Sequence, residues 1–307
     1  MLDSPQTRKI DSFLSKTPNT LKRIQQMLLD TNEFPSHQLL TYNLMRLTND
    51  VNTFDTELVD YLSEDNELAS VIVQKARLNS KFSRTNVTTS QLRQSIKRLG
   101  YGFVHNEVQL SLAKAYAQVY FRSNDEEVKA LIKKSVRLAF VARELARIIK
   151  SNEAAALFCA GLNYYIGEMI LALRDPRAYE ELFAIQAKGM EAKTAELTVL
   201  GFDLGELAVR KLEEWQLPNH IVSLIKTHHS VTEINNVNYK SAMIMKFAEY
   251  VNNSLVNKAS GPHAMWDKAY EYLAKLGVSM TIDEWTEEIK LMYIKLLETE
   301  HTLYQRK

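Results

Sequence analysis

An adjacent pair of histidines, His228 and His229, is the part of this sequence best suited to metal binding or proton transfer, because a neutral imidazole can do either near neutral pH. His228 follows the apolar residues Ile221, Leu224 and Ile225 at helical spacing. This position favours a buried, hydrogen-bonded histidine over a metal ligand or a catalytic base. The other histidines show no metal-binding pattern such as His-Glu-x-x-His. They are His37, His105, His220, His263 and His301.

A nucleophilic or cofactor-dependent enzyme is poorly supported. The single cysteine, Cys159, lies in the apolar stretch 157–162, with no histidine or basic residue close behind it to lower its pKa. The chain also lacks a Gly-x-Gly-x-x-Gly loop, a Walker loop, a Gly-x-Ser-x-Gly elbow and a Cys-x-x-Cys pair. We therefore expect a buried structural cysteine and no cofactor.

Charge and composition limit the partners and the compartment. The chain has 38 basic and 37 acidic side chains, a net charge of +1, which argues against a nucleic-acid partner or an anionic membrane. One cysteine cannot form an internal disulfide. The polar N-terminus does not resemble a signal peptide, and no apolar stretch approaches the roughly 20 residues that cross a bilayer. We expect a cytoplasmic protein without membrane contact.

The elements that position these residues are predicted to be helices. Only 9 glycines and 6 prolines interrupt 307 residues, of which 46% are hydrophobic. Apolar residues recur every three or four positions from Val128 to Ile149. A capping box at 88–91 and Gly100 mark both ends of a short helix, and further helices are predicted at 204–215, after Pro218 and from 282 to about 298. Loops are expected at 50–56, 80–88, 232–238 and 252–262. Without a long linker, we expect one continuous all-α body.

Six short segments, in order, resemble a known family. The central one, 158–167, reads Phe-Cys-Ala-Gly-Leu-Asn-Tyr-Tyr-Ile-Gly and resembles the Gly-Leu-Leu-His-Asp-Ile-Gly signature of HD-type proteins. The upstream matches are 65–80 and 95–100, and the downstream matches are 201–204, 215–218 and 228–229. Together they resemble the HDOD family, a degenerate helical relative of the metal-dependent HD phosphohydrolases.

The resemblance implies an HD-like multi-helix bundle at residues 33–235. An N-terminal helical extension would occupy residues 1–32. The C-terminal helices, residues 236–307, would pack on the core.

The same resemblance speaks against hydrolysis. HD enzymes hold a divalent metal with histidine and aspartate side chains, and the metal activates the attacking water. At the central His-Asp dyad this chain has Tyr164 and Tyr165, and at two further histidine positions it has Lys134 and Leu204. Of the recognisable ligand positions only His228 keeps its histidine. We therefore expect no metal site and no catalytic residue.

Two interpretations of the former site remain open. In the first, the tyrosine rings fill the space of the lost metal and Lys134 points to solvent. In the second, Lys134, Tyr164 and Tyr165, with His228 and His229, contact a small anionic ligand or a nucleotide without metal. Asp203 and Glu144 are conceivable ion-pair partners of Lys134.

The resemblance implies a regulatory protein that transmits signals in bacteria through contacts with protein partners. The alternatives are a residual metal-dependent phosphohydrolase and a metal-free sensor of a nucleotide or other anion.

Overall fold

The computed structural model describes residues 18–28, 34, 38–49, 55–76, 87–226, 239–256 and 265–304. Within these ranges every regular element is a helix and no strand occurs, so the predicted all-α fold is confirmed. The helices are α1 (Pro18–Leu28), α2 (Gln38–Asn49), α3 (Asp55–Ser63), α4 (Asn66–Ala76), α5 (Thr89–Leu99), α6 (Tyr101–Arg122), α7 (Glu126–Ile148), α8 (Ala154–Asn163), α9 (Ile166–Arg174), α10 (Pro176–Ala187), α11 (Ala192–Val199), α12 (Leu204–Glu214), α13 (Asn219–Lys226), α14 (Tyr239–Val256), α15 (Trp266–Lys275) and α16 (Ile282–Tyr304).

The chain forms two compact units. The first comprises residues 1–34 and 119–307, and the second comprises residues 35–118. The boundary between the two units falls inside the predicted domain at residues 33–235. From the sequence we expected this domain to be part of one continuous body. Both terminal segments group with the second half of that domain because α1, α14 and α16 bury apolar side chains against its helices.

Helix α7 lies at the centre of the first unit. It begins after Asp125, whose carboxylate accepts hydrogen bonds from the backbone N–H groups of Glu127 and Val128. Helices α8, α9, α14 and α16 all pack against it. Because α7 is covered from several sides, its buried residues are not confined to one stripe.

Both terminal segments are anchored by specific contacts. In the C-terminal part, the rings of Trp285 and Tyr272 stack on Phe247, with centroid separations of 5.3 and 5.0 Å. In the N-terminal part, the Arg23 guanidinium lies 3.2 Å from the Asp175 carboxylate and donates a 2.9 Å hydrogen bond to the backbone oxygen of residue 200. The ring contacts tie α15 and α16 to α14, and the Arg23 contacts tie α1 to the residue between α9 and α10 and to the residue that follows α11.

The second unit contains α2–α5 and most of α6. Its α5 has the predicted ends: the Thr88 and Gln91 side chains form the reciprocal capping box, and the helix ends at Gly100, whose φ of +81° suits glycine. Inside the unit, the His105 ring lies 2.7 Å from the Thr48 hydroxyl and 2.8 Å from the Gln109 side-chain amide. Each ring nitrogen of His105 therefore has a polar neighbour.

Three predicted element boundaries were wrong. Helix α14 continues to Val256, although a loop was expected at 252–262, because the buried Asn252 donates a 3.2 Å hydrogen bond to the backbone oxygen of Lys134. Helix α3 already begins at Asp55, inside the expected loop at 50–56. The last helix extends to Tyr304 instead of ending near residue 298. The expected loop at 232–238 lies outside the described residues.

One segment passes the length and hydropathy test for a membrane span, contrary to the expectation from the sequence. It is Ala154–Arg174, which combines α8 and α9 and contains an 18-residue stretch with a mean hydropathy of 1.5. However, 89% of its most apolar window is buried within the protein. The core helices of a soluble protein pass the same test, so the segment is weak support for membrane insertion.

Candidate functional site

The HD-like signature forms the turn between α8 and α9, and two glycines allow its close packing. A Cβ atom on Gly161 would lie 2.5 Å from the Cα of Ala139 in α7, and one on Gly167 would lie 2.3 Å from the backbone oxygen of Leu204. Any larger residue would push these backbones apart. The turn is thereby held between α7 and the start of α12.

Tyr164 and Tyr165, at the positions of the HD dyad, both point into the protein. Their relative exposures are 3% and 1%, and their rings form a T-shaped pair with centroids 5.2 Å apart. The Tyr164 hydroxyl donates a 3.2 Å hydrogen bond to the Glu249 carboxylate, which also lies 3.3 Å from the Lys246 ammonium. Both rings are thus packed in the interior, as the first interpretation of the former site expects.

Burial raises the pKa of both phenols, so they are neutral over a wide pH range. Desolvation is the largest cause that raises the pKa of Tyr164 well above its ordinary value of 10, and the negative charge of Glu249 raises it further. The pKa of Tyr165 is raised by the same two causes in the same order. Because a metal binds the deprotonated form of its ligand, these neutral phenols are poor donors to a metal ion.

Lys134 lies over the tyrosine pair and does not simply extend into solvent. Its ammonium nitrogen is 4.1 Å from the centroid of the Tyr165 ring, within cation–π range, and the residue is half-buried. Neither ion-pair partner considered for it from the sequence takes that role. Asp203 caps the N-terminus of α12, and Glu144 lies among Arg143, Arg147 and Lys295.

Leu204 contributes a buried alkyl side chain at the start of α12, with a relative exposure of 7%. Its backbone N–H donates a 2.8 Å hydrogen bond to the buried carboxylate of Glu196. Leu204, which the resemblance assigns to a histidine position of the HD pattern, therefore acts through its backbone and its packing. It offers no donor atom to a metal ion.

Among the described residues, a cavity of about 10 Å³ lies beside Tyr164. This volume holds about one water molecule, whereas sites for small ligands typically measure about 300–1,000 Å³. Two of its lining residues, Glu168 and Glu196, carry carboxylates, which disfavour an anion. The full lining is Tyr164, Gly167, Glu168, Glu196, Leu204, Gly205, Ala208 and Ile225.

The residues at the HD ligand positions do not fit a divalent metal ion. Lys134, Tyr164, Tyr165 and Leu204 present an ammonium group, two protonated phenols and an alkyl chain, whereas divalent metals take imidazole, carboxylate or thiolate donors. In the described part of the chain, no three His, Cys, Asp or Glu residues are grouped where they could hold a metal. His228 and His229 lie outside the described residues.

The structure also shows the position of the predicted structural cysteine and of three residues that were not predicted. Cys159 is fully buried, and burial raises the pKa of its thiol, as a structural role requires. No motif pointed to Glu249 or Lys246, because both lie outside every matched segment. Glu196 was also missed, since only the folded chain brings its carboxylate to the backbone of Leu204.

This helical arrangement matches a recognised domain. The family model of the HDOD domain matches residues 34–231. The chain belongs to the HDOD family. A relative by sequence is an uncharacterized protein of Treponema pallidum (strain Nichols), 22% identical over 196 residues, which cover 62% of this chain and 37% of the relative. This HDOD chain thus matches little more than a third of that relative's length.

Solved structures share the fold of this HDOD chain. A protein of Shewanella amazonensis SB2B, named as a candidate phosphohydrolase, has a TM-score of 0.63 at 17% identity and covers 94% of this chain and 99% of its own. An HDOD domain protein with unknown function from Geobacter sulfurreducens has 0.61 at 16%, with 93% and 97% covered. A candidate signal transduction protein of Marinobacter aquaeolei VT8 has 0.57 at 16%, with 93% and 64% covered.

Proposed function

We propose that this HDOD protein is a regulatory component of a bacterial signalling pathway, acts through contacts with protein partners and does not hydrolyse phosphate esters. The observation that carries the proposal is the buried tyrosine pair at the former dyad. Tyr164 is hydrogen-bonded to Glu249, and Tyr165 lies beneath Lys134. Side chains that would bind a metal are replaced there by neutral rings with structural contacts.

The chemistry of hydrolysis supports this choice. Attack on a phosphate ester by a metal-activated water needs a metal ion with an open coordination position and room for the substrate. The four replaced ligand positions offer neither imidazole nor carboxylate. The cavity beside Tyr164, about 10 Å³, is far smaller than a phosphate ester.

A metal-free anion sensor is the less favoured alternative. Lys134 supplies a positive charge, but its ammonium group lies over the Tyr165 ring, and the neighbouring cavity is lined by Glu168 and Glu196. An anion would meet two carboxylates there. The nearly balanced net charge of +1 also supports a cytoplasmic protein with protein partners and without a nucleic-acid or membrane partner.

Enzyme assays test the catalytic half of the proposal. We expect the purified chain to show background phosphodiesterase activity with added manganese, on both an aryl phosphodiester and cyclic dinucleotides. The double variant Tyr164→His, Tyr165→Asp should stay at background as well, because Lys134 and Leu204 still withhold two ligands. Turnover by the parent chain that a chelator abolishes and manganese restores would contradict the proposal.

Affinity capture tests the second part of the proposal, that the chain acts through contacts with protein partners. The tagged chain should enrich a specific protein from lysates of its source cell, and the purified pair should form a complex of defined stoichiometry. The tag alone serves as the control. If no protein is enriched above that control and no complex forms with any candidate, contact-based regulation is contradicted even if the chain is inactive as an enzyme.

A further inference from the structure

The last helix exposes an apolar stripe on the side that faces away from α7. Leu291, Ile294 and Leu297 have relative exposures of 52%, 53% and 47%. Their spacing of three places them side by side on one face of α16. Single exposed apolar residues are ordinary, but a contiguous apolar patch rimmed by polar residues marks an interaction surface.

The polar and charged residues around this stripe are arranged symmetrically about Ile294. Four positions before it is Lys290, and four positions after it is Glu298. Seven positions before it is Glu287, and seven positions after it is His301. All four are exposed. When a second copy of the helix runs in the opposite direction, each of these residues therefore lies opposite a residue of complementary chemistry.

We propose that α16 joins two copies of this chain as an antiparallel helix pair, with a twofold axis at Ile294. In this arrangement Leu291 faces Leu297 of the partner subunit, and Lys290 faces Glu298 of the partner subunit. Glu287 faces His301 of the partner subunit. Every position on the stripe meets a residue that suits it.

Self-complementarity is what identifies a second copy as the occupant. A twofold interface uses the same patch on both subunits, so each residue must match its counterpart across the axis. The exposed face of α16 meets this condition for one apolar pair and two polar pairs. A parallel pairing would place the Lys290 side chains against each other and the Glu298 side chains likewise, and like charges repel.

The size of the surface sets the expected affinity. A helix of 23 residues is roughly 34 Å long at 1.5 Å per residue. A single helix pair of that length lies at the low end of the interface sizes that support stable association, so we expect a dissociation constant on the order of micromolar. This contact does not depend on the proposed regulatory role.

Sedimentation velocity on the full chain, from about 1 to about 100 µM, tests the proposal. We expect a dimer that dissociates on dilution. Ile294→Lys should raise the dissociation constant by at least about tenfold, because it places two ammonium groups together on the axis. Met190→Lys is the matched control: Met190 is 40% exposed and lies outside α16, so this variant should dimerise like the parent.

Charge reversal tests the pairing itself. Lys290→Glu and Glu298→Lys should each weaken the dimer, and the two changes combined should restore it. For the orientation, Leu291→Cys mixed with Leu297→Cys should crosslink on oxidation more readily than either variant alone. A chain that stays monomeric over the whole range overturns the proposal. A dimer that Ile294→Lys leaves intact overturns it too.

Discussion

Helix α7 contributes to two clusters that handle buried polar groups in opposite ways. The tyrosine cluster consists of Lys134, Tyr164, Tyr165, Lys246 and Glu249. The Glu144 cluster consists of Arg143, Glu144, Arg147, Glu288 and Lys295. The first lies at the positions that the resemblance assigns to the HD dyad and is filled mainly by neutral rings. The second is an ion network that ties α16 to α7.

The pKa values of Glu144 and Tyr164, one from each cluster, are shifted in opposite directions. Burial would raise the pKa of Glu144, but the charges and hydrogen bonds of Arg143, Arg147 and Lys295 together lower it below its ordinary value. In the tyrosine cluster, burial and the charge of Glu249 both raise the pKa of Tyr164. The comparison shows that this fold stabilises a buried charge where it supplies counter-charges. At the former dyad it uses side chains that need no charge.

The largest effect is expected from emptying the tyrosine cluster. Tyr165→Ala should lower the free energy of unfolding by about 3–5 kcal/mol, because it removes a ring that is 1% exposed and packed against Tyr164 and Lys134. Chemical denaturation measures the loss. The matched control is Tyr270→Ala, which removes a ring that is 56% exposed and should cost much less. If Tyr164→Ala and Tyr165→Ala both unfold like the parent, the rings are not structural replacements.

A smaller loss is expected from separating the helices around that cluster. Gly167→Ala should cost about 1–3 kcal/mol, since the new methyl group would lie 2.3 Å from the backbone oxygen of Leu204. Gly102→Ala in α6 is the control, because a methyl group there meets nothing within 4 Å and should be neutral or stabilising by about 0.5–1 kcal/mol. Equal thermal shifts in the two variants would show that close packing at the turn is unimportant.

In the Glu144 cluster, Glu144→Gln should cost about 1–2 kcal/mol at neutral pH, because it removes charge-assisted hydrogen bonds. The loss is moderate since two of the three cations, Arg147 and Lys295, have side chains about half exposed. The folded-state pKa of Glu144 lies below its ordinary value of 4.5, so its stabilisation is complete above that pH and is lost as the pH falls through the folded pKa. The gap between parent and variant in acid unfolding curves should therefore close. A gap that widens on acidification would contradict this account.

The tyrosine cluster should show the opposite pH dependence with a smaller mutational effect. Tyr164→Phe keeps the ring and should cost about 1 kcal/mol through the lost hydrogen bond to Glu249. Because the folded-state pKa of Tyr164 lies above its ordinary value of 10, stability falls as the pH rises past that value and the unfolded phenol ionises. Alkaline unfolding curves should show a shallower slope for Tyr164→Phe than for the parent. An identical slope would indicate an exposed phenol.

Helices with marked ends could be predicted from the sequence. The capping box at Thr88 and the glycine at Gly100 act locally, so their meaning does not depend on the rest of the fold. Helix α12 likewise follows its apolar stripe from Leu204 and begins at the cap Asp203. The family resemblance assigns Tyr164 and Tyr165 to the dyad positions through the spacing of the matched segments, and that assignment stays a prediction.

Long-range contacts explain what could not be predicted. Asn252 is of a residue type that is common in loops, but its burial against the backbone of Lys134 keeps it in a helix. Glu249 belongs to a segment without family signal, and it reaches Tyr164 only because α14 packs on α7. Tertiary packing determines which residue contacts a buried phenol, so the local sequence carries no pattern that identifies this partner.

If the tyrosine cluster replaces the metal site of the HD phosphohydrolases, the purified chain should not retain manganese. Its manganese content, measured after loading with excess manganese and dialysis, decides this. We expect no stoichiometric manganese, because Lys134, Tyr164, Tyr165 and Leu204 supply no metal-binding donor set. One manganese ion per chain that survives dialysis and is released by a chelator would contradict it.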